Sequence, residues 1–79
     1  MIETVRDRVI QVMSEVFECS PEAVTKLRAG DSPQWDSVAA ASLVIALEDT
    51  FGVILGGDST ARMTGLDEIV NVVETSLPT

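Results

Sequence analysis

A chain of 79 residues with no histidine and no tyrosine has few ways to move a proton. The commonest general base, the commonest metal ligand and a phenolic acid are missing, so triad chemistry is excluded and an enzyme in its own right is disfavoured. Asp31 and Asp36 stand close together, but the residues between them do not follow the order of a calcium-binding loop. No second ligand cluster supports them, so weak surface binding of divalent cations is the most they offer. Gly56-Gly57 lacks the lysine and the strand-to-helix setting of a phosphate loop and reads as a hinge. Cys19 is the only cysteine, which rules out an internal disulfide or a multi-cysteine zinc site and points to a reducing compartment. With no histidine to activate it, Cys19 reads as a partly buried thiol without a task. What remains is Ser37, in Trp35-Asp36-Ser37-Val38, directly after a carboxylate able to cap a helix. Taken alone, a serine in a first helical turn is most often just a good start residue.

The elements that must position Ser37 are legible from apolar spacing. Ile2, Val5, Val9, Val12, Met13 and Val16 recur at helical intervals, with Glu3, Asp7, Gln11 and Ser14 on the other side, which predicts a first helix from Ile2 to Phe17. Ser20 as N-cap and Pro21 at the first helical position predict one further helical turn. Thr25 to Gln34, holding Ala29-Gly30-Asp31-Ser32-Pro33, has no period and reads as a long surface loop. A second long helix is capped by Asp36, runs through Val38 to Phe51 and is closed by Gly52 in the left-handed conformation. Asp58 to Met63 suits a short helix. Thr64 is the predicted cap of the last helix, with Asp67 at its third position and Leu66, Ile69, Val70, Val73 and Leu77 on its buried side; Pro78 ends the pattern. No period of two and no internal repeat occurs, so the fold class is all-α: a small bundle of three long helices plus one or two short ones.

The helix after Ser37 is apolar on more than one face. At 100° per residue, Ala40, Leu43, Val44, Leu47 and Phe51 share the stripe assigned to the core, while Val38, Ala41 and Ile45 lie nearly opposite, rimmed by Ser42, Glu48 and Asp49. A small apolar strip with a polar border suits a docking surface; a helix buried on both sides is the alternative. Trp35, the only tryptophan, is expected to pack against the bundle and fix the approach of the loop to Ser37.

Composition bounds the partners. Thirteen acidic and five basic residues give a net charge of −8, and 46% of the chain is apolar, enough for one packed domain. Nucleic-acid backbones and anionic lipid headgroups both call for lysine and arginine, so neither is an expected partner, whereas basic protein surfaces are. No run approaches the length of a membrane span, and Glu3 stands where a secretion signal carries basic residues. The chain therefore reads as complete and cytoplasmic.

The run Trp35-Asp36-Ser37-Val38, followed by Leu43-Val44-Ile45-Ala46-Leu47-Glu48-Asp49-Thr50-Phe51-Gly52, resembles the signature of the acyl and peptidyl carrier protein family. That family's core motif is Asp-Ser-Leu, often preceded by Trp in stand-alone members. The resemblance covers nearly the whole chain in the order of its elements and is most specific from Trp35 to Gly52. It implies that residues 1–79 form a single carrier domain with an acyl-carrier-protein-like bundle. It further implies that 4′-phosphopantetheine is attached covalently to Ser37, beside Asp36, from coenzyme A by a separate magnesium-using phosphopantetheinyl transferase. The arm then holds acyl or aminoacyl groups as thioesters, and an acyl- or aminoacyl-loading enzyme and downstream synthases make and break the bonds. Such a chain is a monomeric carrier and not an enzyme, with Val38, Ala41, Ile45, Glu48 and Asp49 as its partner-binding surface. Val38 stands where the family has Leu, and Ala39-Ala40-Ala41-Ser42 is neutral where carriers of bacterial fatty-acid synthesis place acidic residues. The departure favours a specialised biosynthetic pathway, of polyketide or nonribosomal peptide type for example, over housekeeping fatty-acid synthesis. A reading from a different class is a helical protein-interaction module that carries no prosthetic group and binds one protein through the same strip.

Overall fold

In the computed structural model, which describes residues 4–77, the chain forms five helices: α1 Val5–Phe17, α2 Pro21–Val24, α3 Ser37–Phe51, α4 Gly57–Ala61 and α5 Leu66–Ser76. The expected bundle of three long helices with one or two short ones is seen, with two short helices, and the described residues contain no strand, only an isolated bridge between Arg28 and Gly65. The radius of gyration, 11.5 Å, matches the roughly 12 Å of a packed chain of this length.

Two of the three long helices, α1 and α3, start where a side chain can satisfy the free N–H groups of the first turn. At α1 this is Thr4, whose hydroxyl accepts from the Asp7 N–H at 3.1 Å while the Asp7 carboxylate accepts from the Thr4 N–H at 3.3 Å. The expected start at Ile2 and the expected stop at Pro78 lie outside the described residues. Ser20 caps α2, with Pro21 at its first position, as the sequence predicts. Asp36 caps α3 and Gly52, at φ 66°, ends it. The short helix α4 is shifted: it opens at Gly57 and stops at Ala61, because Met63 leaves the helix to enter the core.

The start of α5 corrects the sequence reading. Gly65, not Thr64, is the N-cap, and no side chain caps the helix. The Thr64 carbonyl is instead held by the Ala29 N–H at 3.0 Å, which ties Thr64 to the long loop beside the Arg28–Gly65 bridge. A Cβ at Gly65 would come within 2.7 Å of the Arg28 guanidinium and 2.8 Å of the Glu68 carboxylate, so the absence of a side chain admits the Arg28–Glu68 ion pair, 3.2 Å, over the backbone. The buried side of α5 is Leu66, Ile69, Val72 and Val73; Val70 and Leu77, expected inside, are half-buried.

One core serves α1, α2, α3 and α5. Val9, Met13 and Phe17 of α1 meet Leu43 and Leu47 of α3 and Ile69 and Val73 of α5, and each such burial contributes about 1.5–3 kcal/mol. Helix α2 contributes Val24, and the connections contribute as well: Leu27, Trp35, Val53, Leu55 and Met63 are all buried. No polar or charged residue among those described is buried, so the interior asks nothing of hydrogen bonding beyond the backbone.

The first turns of α1 and α5 meet in an exposed ion pair, Arg6 to Asp67 at 2.6 Å. The hydrogen bond from Arg6, and then its charge, hold the Asp67 carboxyl below its ordinary value of 3.8. A depressed folded-state pKa stabilises the fold above the unfolded value and loses that contribution as pH falls through the folded one. The effect is small because both side chains are solvated. Between neutral pH and pH values below 3.8, the denaturant midpoint of Asp67→Asn is therefore expected to fall less than that of the parent chain; parallel curves would show that this pair contributes nothing.

Candidate functional site

Ser37 is the first residue of α3, and its side chain is exposed. Two local facts place it there. Asp36 takes an extended conformation and accepts from the Ala39 N–H at 2.8 Å, and its own carbonyl receives the Ala40 N–H at 2.9 Å. The N–H groups of Ser37 and Val38 make no hydrogen bond within the described residues, as expected of a first turn with one capping side chain. The Ser37 hydroxyl likewise has no partner within the described residues. Its surroundings are a helix N-terminus of fifteen residues, with the positive end of the helix dipole at the hydroxyl.

Trp35 fixes the entry to this turn. Its ring is buried and packs at 5.0 Å and 47° against Phe17, and the backbone N–H of Trp35 donates to the Ser32 carbonyl at 3.0 Å. The loop before it is tied at several points. The Arg28 N–H donates to the Ser32 hydroxyl at 3.0 Å, the Arg28 carbonyl accepts from Asp31 and Ser32, and Ala29 is bonded to Thr64. Asp31 and Asp36 are both exposed, and no group of three or more His, Cys, Asp or Glu side chains that could hold a metal ion occurs among the described residues.

Along α3 the structure brings Val38, Ala41 and Ile45 out to solvent, Val38 at 75% and Ile45 at 67% exposure. Asp49 is exposed on the same line, within about 40° of Val38 and Ile45 at 100° per residue. Glu48 is different: it is half-buried, and its carboxylate accepts from the Leu55 N–H at 2.8 Å. Its carbonyl also accepts from Gly52 at 2.9 Å and Val53 at 3.3 Å, so Glu48 organises the turn out of α3. Ala40 and Val44, assigned to the core stripe, are half-buried and form one wall of an open groove. That groove, about 400 Å³, is lined by Ala40, Ala41, Val44, Ile45 and, from α4, Thr60. Beneath it, Trp35, Leu43 and Met63 close a cavity of about 30 Å³, room for little more than a water molecule.

Two surface features escape sequence reasoning. Thr60 is fifteen residues from Ile45 in sequence and reaches the groove only through the docking of α4. Ile54, 90% exposed, is the most exposed large apolar side chain among the described residues. The signal for it was present in Val53-Ile54-Leu55: with both neighbours buried, extended alternation turns the middle residue outward.

Cys19 is half-buried and free. Among the described residues no helix is long and apolar enough to cross a membrane. No protein-family model matches the chain, and no curated protein matches it.

Proposed function

We propose that this chain is a carrier protein that holds acyl or aminoacyl groups on a 4′-phosphopantetheine arm attached to Ser37. The observation that carries this reading is the state of Ser37: an exposed, unpartnered hydroxyl on the first turn of a long helix, directly after a capping aspartate in Trp35-Asp36-Ser37-Val38. The residues fit such a group. A phosphodiester on the Ser37 oxygen lies beside the free N–H groups of Ser37 and Val38, where negative charge gains about 0.3–1 kcal/mol from the helix dipole. When bound, the arm supplies a terminal thiol for a thioester link.

Everything else falls to partners. The chain has no histidine, and Asp36 is engaged with Ala39, so the proton of the Ser37 hydroxyl must pass to a base on the transferase. The Ser37 oxygen forms a bond to the phosphorus next to the pantetheine, the pyrophosphate bond of coenzyme A breaks, and adenosine bisphosphate leaves. The protein's own share is to present the hydroxyl clear of the fold, to hold the turn rigid through Trp35, and to offer the outer face of α3 for recognition. The neutral stretch Val38–Leu47 supports a dedicated enzyme set for a specialised product over general fatty-acid synthesis. A reducing, cytoplasmic setting goes with this reading, since the single cysteine is free.

The test is a mass measurement. After incubation with coenzyme A, magnesium and a broad-specificity phosphopantetheinyl transferase, the chain is expected to gain the mass of one arm. No gain with several such transferases would leave the interaction-module reading, in which the strip on α3 binds one protein and nothing is attached.

A further inference from the structure

We propose that Arg28 is a positioning residue for Ser37: its guanidinium, laid across Gly65 onto Glu68, clasps the loop before α3 to the start of α5 and so sets how the hydroxyl is presented. The inference rests on the carrier reading and adds to it a control point nine residues before Ser37 in sequence.

The start of α5 is built around this pair. Gly65 is the N-cap and offers no side chain to the free N–H groups of the first turn, although Glu68 stands at the third helical position, where a serine at the cap would complete a capping box. The φ of Gly65, −170°, is extended backbone open to any residue, so conformation does not call for glycine here. What calls for it is space: a Cβ would stand 2.7 Å from Arg28 Nη1 and 2.8 Å from Glu68 Oε1. With no Cβ in the way, those two atoms meet at 3.2 Å, and the glycine beneath them is buried. Asp67, the other carboxylate of this turn, is taken by Arg6.

From Arg28 the hydrogen bonds lead toward Ser37 in two steps. The Arg28 N–H donates to the Ser32 hydroxyl at 3.0 Å, and the Arg28 carbonyl accepts from the Ser32 N–H at 2.9 Å. The Ser32 carbonyl in turn accepts from the backbone N–H of Trp35 at 3.0 Å, and Asp36, next in the chain, caps α3. On the other side, the Ala29 N–H donates to the Thr64 carbonyl at 3.0 Å, so two consecutive loop residues are fastened to the two residues before α5. The ion pair is partly solvated, its side chains 55% and 41% exposed, and it adds little to global stability. Its effect falls on the loop, where clasped and open arrangements differ by energies of that small size. A partner that accepts only the clasped arrangement binds more weakly in proportion to the molecules that lack it.

The experiment uses the full chain with coenzyme A, magnesium and a phosphopantetheinyl transferase, and reads KM, kcat, the urea midpoint and amide hydrogen exchange. Gly65→Ser is the central variant, because it changes no charge, supplies the missing cap and puts a Cβ into the path of the pair. It is expected to keep or raise the midpoint while raising KM for Ser37 modification about two- to fivefold at parental kcat. Exchange at the Ser32 and Trp35 amides is expected to quicken by a similar factor, with the amides of α1 unchanged. Arg28→Gln and Glu68→Ala are expected to raise KM as much, and the double variant no further, since one pair is lost only once. Glu74→Gln, exposed on α5, keeps the parent value. Should Gly65→Ser lose stability, the Arg28 and Glu68 variants carry the test. Parental KM and exchange in Gly65→Ser at full stability would overturn the inference. Additive effects of Arg28→Gln and Glu68→Ala would overturn it too, by making each an independent contact with the transferase. Absence of any mass gain in the parent chain would remove the carrier reading and, with it, the role of Arg28 toward Ser37; exchange at Ser32 and Trp35 would then still show whether the clasp holds the loop.

Discussion

Ser37→Ala is expected to remain at its unmodified mass under conditions in which the parent chain gains one phosphopantetheine arm, while Ser42→Ala gains it like the parent. The contrast between the two serines follows from their places on α3. Both are exposed, but Ser42 lies in the helix interior, where the neighbouring N–H groups are consumed by the helix and none is left to face a phosphodiester. Ser37 is at the first position, with its own N–H and that of Val38 free. The loss in Ser37→Ala is chemical and not a matter of folding, since alanine is a better helix former than serine and an exposed surface change stays within about 0.5 kcal/mol. Asp36→Ala separates the two roles of the turn. It removes the cap on the Ala39 N–H, costing about 0.5–2 kcal/mol of stability, and it slows modification without abolishing it, because the acceptor oxygen remains. An arm attached to Ser37→Ala would move the site to another hydroxyl and take with it the place of α3 in the proposed function.

The parts of this molecule that follow local rules were legible in the sequence. Asp36 and Gly52 bound α3 as their chemistry requires, Ser20-Pro21 opens α2, and the two apolar faces of α3 read correctly at Leu43 and Leu47 on one side and Val38 and Ile45 on the other. What failed depended on contacts distant in sequence. Thr64 has the side chain of a good cap, yet the Ala29 N–H, thirty-five positions away, claims its carbonyl and passes the cap to Gly65. Glu48 sits where a rim charge belongs, but the backbone of Leu55 turns back within reach of it and makes it a structural acceptor. Ala40 and Val44 carry core spacing and still face the groove, because α4 is too short to cover them. Val72 was missed on α5 for the same kind of reason: the buried side is set by which helices flank it, and there Val72 is buried with Val73 while Val70 is only half-buried.

Trp35→Ala is expected to lower unfolding stability by about 3–5 kcal/mol, the cost of emptying a buried aromatic site that the surroundings refill only in part. A chain of 79 residues holds about 4–12 kcal/mol in all, so this one change removes about a quarter or more of it and can leave the fold marginal. Two observations make the cost high. The ring packs tilted against Phe17 of α1 at 5.0 Å, an aromatic contact that adds to the area it buries, and it walls the small cavity shared with Leu43 and Met63, which would enlarge by the volume of the indole. Trp35→Phe keeps the packing with Phe17 and is expected to lose about half as much. The functional consequence is separate from the thermodynamic one. Trp35 lies two residues before Ser37 and anchors a loop that is otherwise tied at Arg28, Ala29 and Ser32, so its removal frees the last stretch of chain leading into α3. Modification of Ser37 in Trp35→Ala, measured at a temperature where the variant is still folded, is therefore expected to show a raised KM, with Trp35→Phe in between. Urea denaturation followed by far-ultraviolet circular dichroism gives the stability, and mass spectrometry over time gives the modification rate. A midpoint unchanged from the parent would mean the indole is not part of the core, and a lowered midpoint with parental KM would mean that the ring supports the bundle without holding the approach to Ser37.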